Sequence, residues 1–183
     1  MSDPLGQAIA ARLRDVPDFP EPGILFKDIS PLLADPATMR AVIQALAAHG
    51  RELGGVEVVA GVEARGFFFA ATVAYELGCG MVPVRKAGKL PPPTVHAEYQ
   101  LEYGSAVMEV PVGVLADHRV LLVDDVLATG GTVSAAADLL ERAGAEVAGI
   151  GVVVELASLG GRARLAPRPL KALLTVGELP TGA

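Results

Sequence analysis

Four runs rich in apolar residues alternate with helical segments along the chain. The runs cover residues 56–60, 81–84, 120–123 and 147–154. Short apolar runs of this kind are typical of strands buried on both faces, as in a parallel sheet. Residues 67–77 and 133–143 have apolar positions at helical spacing, and a glycine that can end a helix follows each. The alternation predicts an α/β domain with a central, mostly parallel sheet flanked by helices.

The N-terminal region has a different pattern. Leu5, Ile9 and Leu13 form a helical stripe. Prolines at positions 17, 20 and 22 then exclude a helix or the interior of a sheet, although apolar residues 24–26 follow directly. Asp35 and Pro36 are typical of the N-cap and first position of the next helix, which we predict to continue through Leu46.

A polar segment over residues 86–109 interrupts the alternation. It contains three consecutive prolines at 91–93 and the sequence Leu-Glu-Tyr-Gly at 101–104. A polar insertion of this length inside a compact domain is usually functional or disordered. We therefore expect a lid or a hairpin over a ligand site. No repeat or linker divides the 183 residues, so we expect one domain over residues 1–183.

The composition excludes several classes of protein. A chain that is 51% hydrophobic and 20% charged is not disordered. Its net charge of −6 disfavours nucleic acid as a partner, so local donors must hold any anionic ligand. One cysteine, Cys79, permits no internal disulfide, which fits a reducing compartment. Without a signal-peptide core or a membrane-spanning apolar run, we expect a soluble, cytoplasmic protein with no membrane partner.

The segment from 120 to 132 combines a buried strand, two acids and a glycine loop. Asp124 and Asp125 end the strand, and a helix follows the loop residues Ala128, Thr129, Gly130, Gly131 and Thr132. Free N–H groups at a helix N-terminus bind phosphate, and glycine allows close approach to the anion. Carboxylates would repel a phosphate unless the ligand also carried hydroxyls or a magnesium ion, and a sugar diol suits such a pair. The alternative is an ordinary turn with solvated acids.

This segment, VLLVDDVLATGGT, resembles the phosphoribosyl pyrophosphate (PRPP) signature of type I phosphoribosyltransferases. Two other nucleotide-binding patterns, the P-loop and the dinucleotide fingerprint, do not occur in the sequence. Five further blocks resemble adenine phosphoribosyltransferases in the same order, over most of the chain. These blocks are residues 16–33, 64–67, 83–90, 101–104 and 155–162. Each block is weak evidence, but the ordered set is specific.

The resemblance implies a purine-salvage reaction in which adenine and PRPP give AMP and pyrophosphate. The cofactor would be Mg2+, bound through the pyrophosphate and ribose without direct protein ligands. The implied fold has a small N-terminal hood over about residues 1–34 and a flexible lid over about residues 86–109. A homodimer is also implied, with an arginine of the neighbouring subunit reaching the site.

The implied phosphate and ribose contacts come from three segments beyond the ends of strands. Ala128 to Thr132 would hold the 5′-phosphate, while Asp124 and Asp125 would contact the ribose hydroxyls. The residues assigned to the pyrophosphate are Arg65, Arg85, Lys86, Lys89 and Tyr103. For the four cations, an exposed basic face is the alternative.

The implied base site consists of Leu25, Phe26 and Lys27, with Phe26 against the adenine ring. Phe26 could instead be a core aromatic residue. Glu102 matches the acid–base residue at purine N7, and a solvated glutamate is the alternative. Lys27 stands where the family often has arginine, and lysine lacks the planar donor fork, so we expect different contacts to the base there.

Two other functions remain open at this point. The chain could be a phosphoribosyltransferase for hypoxanthine, guanine or xanthine, although Glu102 and the block at residues 16–33 favour adenine. It could also be a catalytically silent regulator that senses PRPP. Such regulators usually add a DNA-binding region or a basic surface, for which 183 residues and a charge of −6 leave little room.

Overall fold

The computed structural model describes residues 3–101 and 104–177. Its N-terminal half contains α1 (Pro4–Ala10), β1 (Arg14–Pro17), β2 (Leu25–Asp28), α2 (Ser30–Ala34), α3 (Pro36–Leu53), β3 (Val58–Val62), α4 (Gly66–Leu77) and β4 (Gly80–Lys86). Its C-terminal half contains β5 (Thr94–Leu101), β6 (Gly104–Pro111), β7 (Arg119–Leu127), α5 (Gly131–Arg142), β8 (Glu146–Leu156), a 3-10 turn (Ala157–Leu159), α6 (Gly161–Leu165) and β9 (Leu170–Val176).

A seven-stranded sheet in the order β5-β6-β4-β3-β7-β8-β9 forms the centre of the fold. The strands from β4 to β9 in that order pair in parallel, while β5 and β6 are antiparallel. Strand β7 directs Val120 and Leu122 to one face and Leu121 and Val123 to the other, and all four are buried. Helices cover both faces, so the predicted α/β class with a mostly parallel, helix-flanked sheet is confirmed.

Local signals in the sequence account for the ends of the helices. Asp35 caps α3 by accepting bonds from the backbone nitrogens of Ala37 at 3.0 Å and Thr38 at 3.1 Å, as predicted. Gly78 ends α4 in the left-handed conformation, with φ of +71°. No helix within residues 3–101 and 104–177 is both long and apolar enough to cross a bilayer.

The N-terminal segment contains a hairpin that the apolar pattern did not predict. The first helix ends at Ala10 rather than Leu13, and β1 then pairs with β2 in antiparallel register, Val16 opposite Phe26. Pro17 is tolerated because it is the last residue of a strand in a two-stranded ladder. The prolines exclude the interior of a larger sheet, but they permit this ladder of two short strands.

The polar segment between the two halves also contains a hairpin, β5–β6. Its attachment to the parallel strands is narrow, since β6 pairs with β4 only through Arg85 opposite Glu109 and Lys86 opposite Met108. Pro83 lies before this short ladder, so its missing N–H interrupts no bond to β6. The polar segment therefore forms a hairpin, as expected. Its motion as a lid stays a prediction.

Candidate functional site

Two adjoining cavities lie at the carboxyl end of β7. The smaller, of about 100 Å³, is formed by Asp124 and residues 126–133. The larger, of about 520 Å³, is lined by Gly23, Ile24, Leu25, Phe26, Lys27, Val126, Ala128, Leu156, Ser158, Leu159, Val176 and Gly177. Val126 and Ala128 border both cavities, so one ligand with an anionic end and a flat apolar end can occupy them together.

The predicted phosphate loop has its shape fixed by contact between two stretches of backbone. A Cβ on Gly161 would lie 2.2 Å from the carbonyl oxygen of Ala128, and one on Gly130 would lie 2.7 Å from that of Gly161. Gly130 also has φ of +80°, which side-chain-bearing residues rarely adopt. The loop therefore leads into α5 with Thr129, Gly131 and Thr132 around the smaller cavity. Its place at the helix N-terminus suits an anion.

An ion pair between a buried glutamate and a half-exposed arginine holds Gly161 against this loop. Arg162 donates to Glu155 through Nε at 2.9 Å and through Nη2 at 2.5 Å, and Glu155 is only 2% exposed. Such bidentate pairs add geometric specificity as well as free energy. The pair joins the end of β8 to the start of α6. Both residues lie in the 155–162 block that resembles the family, but the sequence predicted no role for them. The structure shows that they support the loop.

The two aspartates are buried side by side within β7, which continues to Leu127 instead of ending at them as predicted. Asp124 is 8% exposed and accepts a bond from the backbone nitrogen of Asp125 at 2.9 Å. Burial, and then the neighbouring charge of Asp125, raise the pKa of Asp124 well above its usual value. Burial also raises the pKa of Asp125, against the opposing effect of Arg65. Gly66 leaves room for Asp124, because a Cβ there would lie 2.9 Å from Oδ1.

Arg65 connects the aspartates to the larger cavity. Its Nε lies 2.8 Å from Asp125 Oδ2, but this ion pair lacks the alignment of a hydrogen bond. Its guanidinium carbon lies 4.9 Å from the centroid of the Phe26 ring, within the range of a cation–π contact. Phe19 meets the Phe26 ring edge-on with centroids 5.1 Å apart. Arg65 thus lies between the acids and the predicted base site.

The other predicted cations follow β4 and are ordered by an acid. Glu63 accepts bonds from Arg85 Nε at 3.2 Å and from the backbone nitrogen of Lys86 at 3.0 Å. Burial acts to raise the pKa of Glu63, but these bonds outweigh it and hold that pKa below its usual value. Arg85 also donates to the carbonyl oxygen of Lys89 at 3.1 Å. The side chains of Lys86 and Lys89 are exposed.

The predicted base residues border the larger cavity. Leu25 is 50% exposed, while Phe26 is partly buried under Arg65. The ammonium of Lys27 lies 2.7 Å from Asp15 on the facing strand of the hairpin. Because the ammonium is paired with Asp15, Lys27 lines the cavity with its methylene stem more than with a free hydrogen-bond donor.

Other predicted residues lie outside what the structure describes, and some cavity residues were not predicted. Glu102 and Tyr103 fall between the described ends of β5 and β6, so their roles stay predictions. Leu156, Ser158 and Leu159 line the larger cavity and lay within the 155–162 block, but Val176 and Gly177 had no signal in the sequence. Across the described residues, no group of three or more His, Cys, Asp or Glu side chains is arranged to hold a metal ion.

Comparison with known proteins places these features in a family. The family model of the phosphoribosyl transferase domain matches residues 28–168. The adenine phosphoribosyltransferase of Clavibacter sepedonicus is 60% identical over 169 residues, covering 92% of this chain and 87% of that one. The crystal structure of the Rhodothermus marinus adenine phosphoribosyltransferase superimposes with a TM-score of 0.89 at 45% identity, covering 94% and 98% of the two chains. The Saccharomyces cerevisiae enzyme, complexed with adenine and an imino-altritol bisphosphate, gives 0.87 at 39% identity, covering 93% and 98%.

The raised pKa of Asp124 predicts that this acid destabilises the ligand-free protein. A carboxyl whose pKa is higher in the folded chain than its usual 3.8 binds more protons when folded, so stability falls as pH rises through the raised pKa. We expect Asp124→Asn to raise the free energy of unfolding at neutral pH, because asparagine carries no charge that burial would penalise. Urea denaturation should also show a weaker loss of stability with rising pH than in the wild type.

Asp117→Asn is the control for this test, because Asp117 is exposed and asparagine also tolerates its left-handed backbone conformation, with φ of +64°. It should leave the pH dependence close to that of the wild type. An Asp124→Asn protein less stable than the wild type at neutral pH, or one with an unchanged pH dependence, would contradict the assignment of an ionisation penalty to Asp124.

Proposed function

Because the chain belongs to the adenine phosphoribosyltransferase family, we propose that its two adjoining cavities hold the two parts of one nucleotide product. The protein is a glycosyltransferase of purine salvage, which transfers the phosphoribosyl group of PRPP to adenine and releases pyrophosphate. The observation that carries the residue roles is that Val126 and Ala128 border both the anion-sized and the base-sized cavity. A base and a sugar phosphate bound there meet beside Asp124 and Asp125.

Residues Ala128 to Thr132 hold the 5′-phosphate in this proposal. The cavity that they form is small and lies at the N-terminus of α5, and the close contact of the Gly130 and Gly161 backbones fixes the loop around it. Backbone N–H groups and two threonine hydroxyls can therefore reach the phosphate oxygens directly. An exposed basic cluster would attract the anion, but only a preformed loop fixes the position of the sugar.

Asp124 and Asp125 orient the ribose. Both carboxylates are buried, and Oδ2 of Asp125 has no hydrogen-bond partner among the described residues, so the 2′- and 3′-hydroxyls can donate hydrogen bonds to this pair. Those bonds stabilise the charged form of each acid. The burial penalty of the ligand-free site is thereby offset when the diol binds, and the anomeric carbon is held at the opening of the base cavity.

The pyrophosphate would lie against Arg65, Arg85, Lys86, Lys89 and Tyr103. Arg65 and Arg85 already lie beside acids, and the two lysines extend from the turn after β4. The donor set suits Mg2+ held through the pyrophosphate and ribose, since the described residues offer no protein cage and this ion usually keeps substrate oxygens and waters as ligands. When bound, the ion draws off negative charge from the leaving group.

Adenine fits the larger cavity in the orientation that brings N9 towards the ribose. Phe26 and Leu25 supply one wall, and Leu156, Leu159 and Val176 supply apolar surface around it. The C1′–oxygen bond to pyrophosphate breaks as N9 bonds to C1′, through a state with oxocarbenium character. Glu102 would exchange a proton or a hydrogen bond with N7 as the ring loses electron density.

The reaction itself is tested by supplying each free purine with PRPP and Mg2+ and identifying the nucleotide formed. We expect AMP from adenine and little product from hypoxanthine or guanine. A preference for a 6-oxopurine would establish a phosphoribosyltransferase for another base. If the protein binds PRPP but converts no purine, it is a regulator that has kept the site without catalysis.

The role of Glu102 predicts a large loss of rate in Glu102→Leu. General acid–base groups typically contribute about 10²- to 10⁴-fold, so kcat with adenine should fall by a factor in that range. Glu98→Leu on β5 is the matched control, since Glu98 is an exposed glutamate of the same hairpin, and should keep kcat within about twofold. If Glu102→Leu retained the wild-type rate, another group would have to act at N7.

A homodimer is part of the proposal, with an arginine of the second subunit completing the pyrophosphate site. Its support is an exposed apolar face on α4, where Tyr75 is 89% and Phe68 is 52% exposed. Residues seven positions apart lie on the same side of a helix, and Tyr75 borders a cavity of about 490 Å³ between α3 and α4. We also propose a cytoplasmic location, for which the free thiol of Cys79 is the support.

Tyr75→Asp should weaken the dimer, because it places a charge where an apolar ring would be buried. We expect sedimentation equilibrium to show at least about a tenfold larger dissociation constant, and the specific activity to fall with dilution. Val114→Asp is the control, since Val114 is also an exposed apolar residue, at 47%, but lies away from α4. A wild-type protein that sediments as a monomer at all concentrations would end the dimer proposal.

A further inference from the structure

Glu109 on β6 is a buried carboxylate with a complete set of partners. Although the residue is only 2% exposed, its Oε1 accepts bonds from the backbone nitrogens of Lys89 and Leu90, both at 2.7 Å. Its Oε2 accepts a longer bond of 3.3 Å from the hydroxyl of Thr94. A buried charge is costly unless it is hydrogen-bonded in this way. An apolar residue of the same size at this position would leave those donors without an acceptor.

These bonds hold the basic turn after β4 in place. The backbone of Lys89 is fixed on both sides, because Glu109 accepts from its nitrogen and Arg85 donates to its carbonyl oxygen at 3.1 Å. Arg85 in turn donates to Glu63. A continuous chain of contacts thus runs from Glu63 through Arg85 and Lys89 to Glu109, and it contains two of the cations assigned to pyrophosphate.

Glu109 also lies where the β5–β6 hairpin joins the sheet. The ladder between β4 and β6 consists of two residue pairs, and Glu109 opposite Arg85 is one of them. Thr94, its third partner, is the first residue of β5. Both strands of the hairpin and the basic turn therefore converge on one carboxylate, while the far end of the hairpin leads to Glu102.

We propose that Glu109 is a positioning residue that sets the pyrophosphate-binding turn and the base of the lid hairpin in one fixed relation. The proposal rests on the function proposed above, since it assigns the turn to pyrophosphate. Without Glu109, the part-buried N–H groups of Lys89 and Leu90 lose their acceptor, and the turn shifts to regain one from solvent. Arg85 and Lys89 then leave the positions in which they meet the leaving group.

Glu109→Ala and Glu109→Gln test this proposal when each is compared with the wild type. We expect Glu109→Ala to raise KM for PRPP by about tenfold or more and to weaken binding of inorganic pyrophosphate, measured by calorimetry, by a similar factor. KM for adenine should stay within about twofold, because the base cavity contains no partner of Glu109. Glu109→Gln should recover much of the loss, since its amide oxygen can accept both backbone bonds.

Glu57→Ala is the control for a general loss of stability. Glu57 also accepts a backbone bond between strands, from the nitrogen of Arg119 at 3.0 Å, but it precedes β3 at the opposite end of the sheet. It should lower the melting temperature without changing KM for PRPP. If Glu109→Ala does not fold, Thr94→Val supplies the measurement, because it removes the hydroxyl that donates to Glu109, and it should raise KM for PRPP more than KM for adenine.

The outcomes separate this proposal from the function on which it rests. An inactive wild-type protein would overturn the function. An active wild type with unchanged KM for PRPP and unchanged pyrophosphate affinity in Glu109→Ala would overturn the positioning role alone. Equal increases in both KM values would also overturn it, because they would show a general disturbance of the fold.

Discussion

The adjacent carboxylates near the end of β7 are the constraint around which the site is arranged. Two like charges that are 8% and 3% exposed oppose folding, and the protein offsets this only in part. Their partners among the described residues include the backbone nitrogen of Asp125, which donates to Asp124, the backbone nitrogen of Val126, which donates to Asp125, and the misaligned Arg65. Oδ2 of Asp125 has no hydrogen-bond partner there, and in the proposed function a sugar diol would supply one.

The residues around these acids have two main effects: they leave space for close contacts, and they fix the backbone of the neighbouring turns. Gly66 allows Asp124 to approach the start of α4, while Gly130 and Gly161 allow two turns to touch without side chains. The Glu155–Arg162 pair then locks one of those turns to β8. In the proposed function the phosphate contacts would come from this fixed backbone, so little side-chain entropy would be lost on binding.

The parts of this architecture that sequence reasoning could predict are those encoded by neighbouring residues. The buried strands followed from apolar runs, the start of α3 from Asp35 and Pro36, and the glycine loop from its composition. Ordered blocks of resemblance then located the acids and cations. Each of these signals is contained in a short window, so periodicity and capping rules apply to it directly.

The parts that were missed depend on contacts between distant segments. The β1–β2 hairpin forms despite its prolines because pairing between strands overrides a local preference. Val176 and Gly177 enter the larger cavity only because β9 pairs beside β8. Glu63 and Glu109 are polar in sequence, and their burial becomes visible only when the backbone amides that they accept are located in space. No pattern along one chain shows such pairings.

The order of strands also separates what the enzyme must keep from what it can vary. The two acids lie on β7, in the middle of the sheet, and the glycine loop follows it, whereas β5, β6 and β9 occupy the two margins. Insertions or deletions in the marginal elements leave the pairing of β3, β7 and β8 unchanged. Under the proposed assignment, evolution can therefore remodel the margins, which would cover the base and the leaving group, while it keeps the loop that would hold the sugar phosphate, and one scaffold can come to serve many different acceptors.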